Sequence, residues 1–538
     1  MSSPGREQFS ADVNPIGLEA IVDVLSTQFT VGTGSLQLVR RVRLDSFDQR
    51  LYAAGLRLEH QIVASGQHLV LERLDASPKV TVPVTDLRWP AFASSLPEGA
   101  LRNTVAPVAG IRALMVASDE KRRIHQLQLH NANGKIVARV ELDEPASEGS
   151  TTPAEVWLLS LRGYEAQARR AAQLLSGAGL LRVGPGLEHP AECVPPELTV
   201  DSPATALLAM VLQDFLTTME KNLPGLLDDV DSEFLHDFRV AVRRTRSTLK
   251  LGRPALPEVM RTRWEPSFKW LGDLTTPVRD LDVYELDLPT MASWLVATDP
   301  ADLEPFAAHL RGRRMYERRA LVRGLRSARY RRLVEQWAEE LGRLGEDHED
   351  RHLRVDVDLP RDVNPPHDAD LAGEADLAGE ADGLDGAAAH LTAGRLADRS
   401  ISRAYQRVAR GGAAISGDSP AVDLHELRKR CKELRYALEI FAPVIDDAAR
   451  KRAVNDLKGL QDVLGRFQDT EVQRQALRGF AQEMMVDGTP VAAVLVMGEL
   501  IGHLDAEQDR ARGEFDVAFA RFTRPSSQRL MHRLGGGR

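Results

Sequence analysis

Two stretches hold most of the side chains whose type and spacing could do chemistry. In Leu235-His236-Asp237-Phe238-Arg239-Val240-Ala241-Val242-Arg243-Arg244-Thr245-Arg246-Ser247-Thr248-Leu249-Lys250, the residues His236, Arg239, Arg243, Arg246 and Lys250 step by three and four. On a helix that spacing places all five on one face, which is cationic from end to end. His425, Arg428, Lys432 and Arg435 repeat the row, with Lys429 beside it. Neighbouring like charges on a helix repel by about 0.2–0.5 kcal/mol per pair, a standing cost unless an anion lies along the row. Hydrogen bonds from arginine to phosphate are charge-assisted and contribute about 1.5–3 kcal/mol each, so the chemistry on offer is polyanion binding. The competing reading is two solvated helix faces, the usual fate of a charge run. The single sign of both rows, the leading histidines and the matched spacing favour the anion. A flexible phosphate chain suits a charge spread along two helices. Sequence-reading or strand-stacking contact with nucleic acid fits less well, because Tyr436 is the main aromatic among the charges and aromatic residues make up 5% of the chain. Backbone-only binding to nucleic acid stays open.

Each row needs a helix with an apolar side. Leu235, Phe238, Val242 and Leu249 supply one, adjoining the cations. Ser232 reads as the N-cap of the first helix and Ser419, followed by Pro420, as that of the second. Pro254 and Pro443 limit both. The second row follows the first by 189 residues, and the offset persists: Pro254 falls on Pro443, Lys269 on Lys458, Leu271 on Leu460, Asp273 on Asp462, Asp280 on Asp469 and Val283 on Val472. A register held so long implies an internal duplication, whose copies are expected to pack about a pseudo-twofold axis with both rows on one surface. A further helical segment, Leu303 to Leu344, adds ten arginines between Arg311 and Arg332, Arg318 among them, over a buried side of Phe306, Leu310, Leu321, Leu325, Leu333 and Trp337.

The 538 residues suggest two to four domains of an ordinary soluble composition, 43% hydrophobic and 27% charged. Residues 1–182 read as a β-rich domain: Leu56 to Ile62 and His68 to Leu74 as strands, and Ile136, Ala138, Val140 and Leu142 alternating after the Asn133-Gly134 turn. Gly163 to Gly179 reads as an amphipathic helix. Residues 183–203 form a Pro/Gly-rich linker, 204–344 a first helical bundle, 345–389 an acidic insertion of disordered composition, and 390–538 a second bundle. The net charge of −9 therefore says little about the helices. Two cysteines, Cys193 and Cys431, make no disulfide framework. No signal peptide is visible, and the apolar run from Val491 to Leu500 is too short to span a bilayer, so a cytoplasmic protein without membrane contact is expected. Three motifs are discounted. His348-Glu349-Asp350-Arg351-His352 matches a zinc-protease spacing within a charged run, Gly32-Thr33-Gly34 precedes a strand and lacks the third glycine of a dinucleotide loop, and Asp280, Asp282 and Asp469 read as arginine partners before metal ligands.

His236-Asp237-Phe238-Arg239 through Arg246, Val278-Arg279-Asp280-Leu281-Asp282-Val283, and His425-Glu426-Leu427-Arg428-Lys429 with Leu464-Gly465 and Asp469 resemble the CHAD domain, the conserved histidine α-helical domain, over about residues 200 to 538. The resemblance implies two pseudo-symmetric four-helix bundles that bind inorganic polyphosphate, with a protein that gathers at polyphosphate granules. The site residues it implies are His236, Arg239, Arg243, Arg246, His425, Arg428, Lys432 and Arg435, then Lys250, Lys429 and Arg318. Asp45 to Leu58, with Arg50-Leu51-Tyr52-Ala53-Ala54-Gly55-Leu56-Arg57-Leu58, and Leu161-Arg162-Gly163-Tyr164-Glu165 resemble the CYTH or triphosphate tunnel domain, an antiparallel β tunnel. Its catalytic members open on a Glu-x-Glu-x-Lys strand that holds a metal. Here only Glu7 stands in that region, and Glu59 replaces an arginine common after Leu-Arg-Leu. The expected fold is α+β, a β tunnel followed by an all-α CHAD domain. No catalytic residue, metal or cofactor is assigned. A metal-dependent triphosphatase using a divalent cation is the enzymatic alternative, and a nucleic-acid adaptor the third.

Overall fold

Alternation of apolar and polar residues builds one curved antiparallel sheet in the first of two compact units, Met1–Ala191 and Glu192–Arg538. The computed structural model describes residues 6–11, 17–74, 79–146, 154–183, 198–346, 391–486 and 488–534; nearly all of the acidic insertion, His348 to His352 and Cys193 lie outside them. The first unit runs β1 (Arg6–Ala11), α1 (Leu18–Ser26), β2 (Thr30–Asp45), α2 (Arg50–Ala53), β3 (Leu56–Val63), β4 (Gly66–Arg73), β5 (Val80–Val84), β6 (Ala91–Phe92), α3 (Ala100–Ala109), β7 (Ala113–His130), β8 (Ile136–Pro145), β9 (Glu155–Ser160), α4 (Glu165–Gly177) and β10 (Leu180–Val183). The strand order is β10-β1-β9-β8-β7-β2-β3-β4-β5, with β6 on β7. One face is apolar. Phe9, Leu127, Val140, Leu142, Val156 and Leu158 pack on Ile21 and Leu25 of α1 and Leu175 of α4, while Val42, Leu58, Leu69 and Leu71 pack on Leu51 of α2 and Leu101 and Val105 of α3. The other face is polar and curls round a cavity. Gly32-Thr33-Gly34 lies within β2 instead of ahead of it, and a Cβ on Gly34 would stand 2.8 Å from the Gln126 carbonyl.

The second unit is helical: α5 (Ala204–Asp228), α6 (Ser232–Leu251), α7 (Glu258–Ser293), α8 (Glu304–Leu325), α9 (Ala328–Glu346), then α10 (Ala393–Ala413), α11 (Ala421–Ile440), α12 (Asp447–Val486), α13 (Val491–Phe522) and α14 (Pro525–Leu534). The starts of α5, α6 and α7 at residues 204, 232 and 258 recur at 393, 421 and 447, each 189 later. Leu281, Tyr284 and Met291 of α7 share one core with Leu477 and Met484 of α12 and Val496, Leu500 and Leu504 of α13, so the copies are fused.

Two caps differ from expectation by one residue. Asp231 caps α6, its side chain accepting from the amides of Glu233 (3.0 Å) and Phe234 (3.3 Å), and Ser232 is the first helical residue. A carboxylate there also meets the positive end of the helix dipole. Pro420 precedes α11 as its cap residue, while the Ser419 hydroxyl accepts from the Ser416 amide at 2.9 Å. The segment Leu303 to Leu344 is two helices. Ser327 separates them by donating to the Gly324 carbonyl (2.6 Å) and accepting from the Tyr330 amide (3.3 Å). Among the described residues no helix is long and apolar enough to cross a membrane.

Candidate functional site

Helices α6 and α11 dock on the core through Leu235, Phe238, Val242 and Leu249, and through Leu424, Leu427, Cys431, Leu434 and Leu438. They also meet each other. Arg244 reaches Glu439 at 3.0 Å, and Lys250 reaches Glu433 at 2.9 Å. As the number rises by six on α6 it falls by six on α11, so the helices run antiparallel. The offset maps Arg244 onto Glu433 and Lys250 onto Glu439, so the two bridges are one contact seen from either side of a pseudo-twofold axis. Arg243 adds a cation–π contact, its guanidinium 5.9 Å from the Tyr436 ring centroid across the same seam.

The rows are therefore brought together, but they are not uniformly solvated. Arg239 keeps 5% of its exposure and Arg428 3%. Arg239 Nη1 donates to Thr276 Oγ1 (2.8 Å), Thr275 Oγ1 (3.0 Å) and the Gly272 carbonyl (3.3 Å) of α7. Arg428 Nη2 donates to Asp469 of α12 at 3.1 Å. These two arginines tie each row to the following helix, because a buried guanidinium requires fixed acceptors. His236 is buried. His425 is half-buried, and its pKa lies below the usual imidazole range: burial lowers it most, a hydrogen bond with Gln468 raises it, and Lys429 and Lys432 push it down again. Arg243, Arg246 and Lys432 are half-buried. The Arg246 guanidinium lies over α7, 3.6 Å from where a Cβ on Gly272 would be. Arg435 donates to Glu439 and Lys429 to Glu426, each at 2.9 Å. Arg318 is engaged elsewhere, holding the Leu227 carbonyl (2.7 Å) and Asp229 (3.1 Å) at the C-terminal end of α5.

Sequence reasoning missed Glu433, Glu439, Thr275 and Thr276. The signal for the first two was present: at matched positions of the repeat a cation in one copy faces an acid in the other. Asp282 and Asp469 pair with Arg314 and Arg428, as expected. Tyr284 is buried between the copies; burial first, then Asp280, Asp287 and Asp469, hold its phenol above the usual range.

The polar face of the first unit encloses a cavity of about 300 Å³. Lys79, just before β5, places Nζ 5.7 Å from the Trp157 ring of β9, although five strands separate the two along the sheet. The sheet thus closes on itself as a tunnel. Arg41 bridges Glu59 (3.2 Å) and Asp143 (2.5 Å), Arg122 holds Asp143 (2.7 Å), Arg43 approaches Glu155 (3.5 Å) and Lys79 approaches Glu72 (3.4 Å). Burial works against the Arg41 charge, but Glu59, Asp143 and Glu155 hold its pKa above the ordinary value. Glu141 and Arg57 also line the space.

A catalytic tunnel would hold a divalent cation, and these donors do not fit one. Glu7 pairs in register with Leu158 and shares the side of Phe9, so it lies on the sheet face away from the cavity, where its partly exposed carboxylate accepts from Arg182. Gln8 and Ser10 face the cavity side, opposite Trp157 and Glu155. The carboxylates of Glu59 and Asp143 are already clamped by arginine. Among the described residues no three His, Cys, Asp or Glu side chains converge as a metal site.

A family model for the CHAD domain matches residues 210–478, half of the sequence. The chain belongs to the CHAD domain family. It is similar to the crystal structure of the CHAD domain from the plant Ricinus communis, at 22% identity and a TM-score of 0.45 over 63% of this chain and 97% of that one. It is similar to PptA from Streptomyces chartreusis at 19% identity and a TM-score of 0.40, over 59% and 99%. An adenylyl-cyclase-like protein from Hippeastrum, described as having a dominant triphosphatase activity, is similar at 13% identity and a TM-score of 0.24, over 34% and 91%. The comparison with curated proteins finds no match. The architecture is thus an antiparallel sheet unit ahead of a helical CHAD domain whose signature histidines and arginines lie on α6 and α11.

Proposed function

We propose that this protein binds inorganic polyphosphate along the α6–α11 pair, with a first unit that does not hydrolyse it. One observation carries the reading: the reciprocal bridges Arg244–Glu439 and Lys250–Glu433 set two cationic rows side by side about a twofold axis. A phosphate chain reads the same from either end, so it matches such a site in both directions. A single nucleic-acid strand has a direction and does not. Arg243, Arg246, Lys429 and Lys432 are the contacts nearest solvent, with Lys250 at the edge, while Arg239 and Arg428 lie beneath them as fixed support. His236, His425 and Arg435 complete the rows, and polyphosphate granules are where such a protein would gather. The tunnel's arginine-clamped carboxylates support the non-hydrolytic reading. The test is a titration of the full chain with long-chain polyphosphate, repeated with RNA as competitor and with magnesium or manganese present. Retention without phosphate release, displaced poorly by RNA, supports the proposal. Release of phosphate, or equal displacement by RNA, contradicts it.

A further inference from the structure

We propose, on the polyphosphate reading of α6 and α11, that α10 carries a third anion row, which prolongs the site past one end of the twofold seam and makes it select chains long enough to reach there. The row is Arg395, Arg399, Arg403 and Arg407, stepping by four, then Arg410, three further on. On a helix these lie along one side, over about 22 Å at 1.5 Å per residue. Arg395, Arg403 and Arg410 are exposed and Arg399 and Arg407 half-buried, while Leu396, Ala397, Ile401, Ala404 and Val408 hold the core. The helix contains one acid, Asp398. Burial raises the pKa of that carboxyl and no cation lowers it, so it does not neutralise the row. Among the described residues no ion pair is found for Arg395, Arg399, Arg403 or Arg410. Such a row repels itself, and packing does not require it. The repeat sets Ala206, Met210, Asp214 and Thr218 of α5 at the places of Arg395, Arg399, Arg403 and Arg407, and only Lys221, matching Arg410, is a cation.

The second observation is where the row begins. The α6 row ends on Lys250, whose ammonium lies 2.9 Å from Glu433 Oε1, and Arg407 reaches Oε2 of the same carboxylate at 2.8 Å. The third row therefore starts where the first stops. At the other end of the seam the equivalent contact is Arg244–Glu439, the place of Arg407 is taken by Thr218, and no arginine carries the track along α5. The extension is thus one-sided, although the seam is twofold. At the C-terminal end of α10, Arg430 of α11 lays its guanidinium against Gly411, in the space that a side chain there would fill, and no ion pair is found for it among the described residues. Polyphosphate is charged at every unit, so a long chain leaving the seam at Lys250 still finds cations along α10. Tripolyphosphate ends within the seam.

The test is isothermal titration of the full chain with long-chain polyphosphate, and separately with tripolyphosphate, across a salt series. Arg395→Gln with Arg399→Gln and Arg403→Gln, folded by circular dichroism, weakens long-chain binding about tenfold or more and makes its log–log salt slope shallower by about 2, at about 0.7 for each lost contact. Tripolyphosphate binding stays as in wild type. Arg319→Gln with Arg323→Gln and Arg326→Gln removes the same charge from exposed positions of α8 and leaves both ligands unaffected. Wild-type long-chain affinity in the α10 variant, a loss shared equally by tripolyphosphate, or an equal loss in the α8 variant overturns the third row while the α6–α11 site stands. A wild type that binds no polyphosphate of any length overturns both.

Discussion

The two bridges between α6 and α11 are copies of one contact in two environments, which makes their difference measurable. The lengths are nearly equal, 3.0 Å for Arg244–Glu439 and 2.9 Å for Lys250–Glu433, but the side chains of the first retain 10% and 9% of their exposure and those of the second 52% and 23%. Removing one partner of a buried pair costs about 3–5 kcal/mol, because the other charge is left in a poor medium. Arg244→Met strands Glu439 only in part, since Arg435 still donates to it at 2.9 Å, so the expected cost is near the low end, about 3 kcal/mol. Lys250→Met removes a solvent-screened partner while Arg407 remains 2.8 Å from Glu433, and it should cost no more than about 0.5 kcal/mol. Arg244→Met with Glu439→Leu should regain much of the loss, because an apolar pair of similar size replaces a buried ion pair at little net cost. Urea unfolding followed by far-ultraviolet circular dichroism reads these values, as the helical signal comes chiefly from the second unit. Equal costs for the two single changes, or a larger one for Lys250→Met, would refute the burial argument.

Three further outcomes follow from the geometry. Arg239→Ala removes three hydrogen bonds to α7 and should destabilise the second unit by about 3 kcal/mol in the same urea experiment, whereas Arg243→Ala should change stability by less than about 1 kcal/mol. His425 has a pKa held below its unfolded value, so the native state is favoured above the unfolded pKa, and stability is lost as pH falls through that value and on toward the folded one; an anion alongside would reverse the shift, and polyphosphate should raise the His425 pKa in a nuclear magnetic resonance titration. Glu499 accepts from the amides of Val296 (2.6 Å), Ala297 (2.8 Å) and Thr298 (2.9 Å), and its pKa is lowered to about 2, by the Thr298 hydroxyl most and then by the amides of Ala297 and Val296. A depressed carboxylate stabilises above its unfolded pKa and ceases to as pH falls from about 4.5 toward about 2, so the hydrogen-exchange protection factors of the Val296–Thr298 loop should fall in that window, and Glu499→Gln should remove the dependence.

The repeat was legible because backbone register survives duplication: helices starting at 204, 232 and 258 recur at 393, 421 and 447. The rows were legible because three- and four-residue spacing fixes a helix face. What lay hidden was which part of that face is covered. Arg239 and Arg246 look alike in sequence, yet one is buried against Thr275 and Thr276 while the other is half-buried over Gly272, a difference set by how α7 crosses α6. Glu433 and Glu439 stand at the repeat positions matched by Arg244 and Lys250, a pairing that the register records but that spacing along one helix does not show. Arg318 belonged to an arginine-rich helix, but Asp229 and the Leu227 carbonyl claim it. In the first unit, strand parity at β1 decides what composition could not: Glu7 shares the face of Phe9, away from the cavity, leaving Gln8 and Ser10 on the cavity side.

The most direct measurement is the affinity of the full chain for long-chain polyphosphate across a salt series, in wild type and in Arg243→Ala with Lys432→Ala. Counterion release predicts a steep fall of affinity with salt in wild type. The double variant, folded by circular dichroism, should bind more weakly, with a log–log slope shallower by about 1.4 if each lost contact contributes about 0.7, as for single strands. Wild-type binding that ignores salt, or a variant whose affinity and slope match the wild type, would contradict the assignment of polyphosphate to the paired helices.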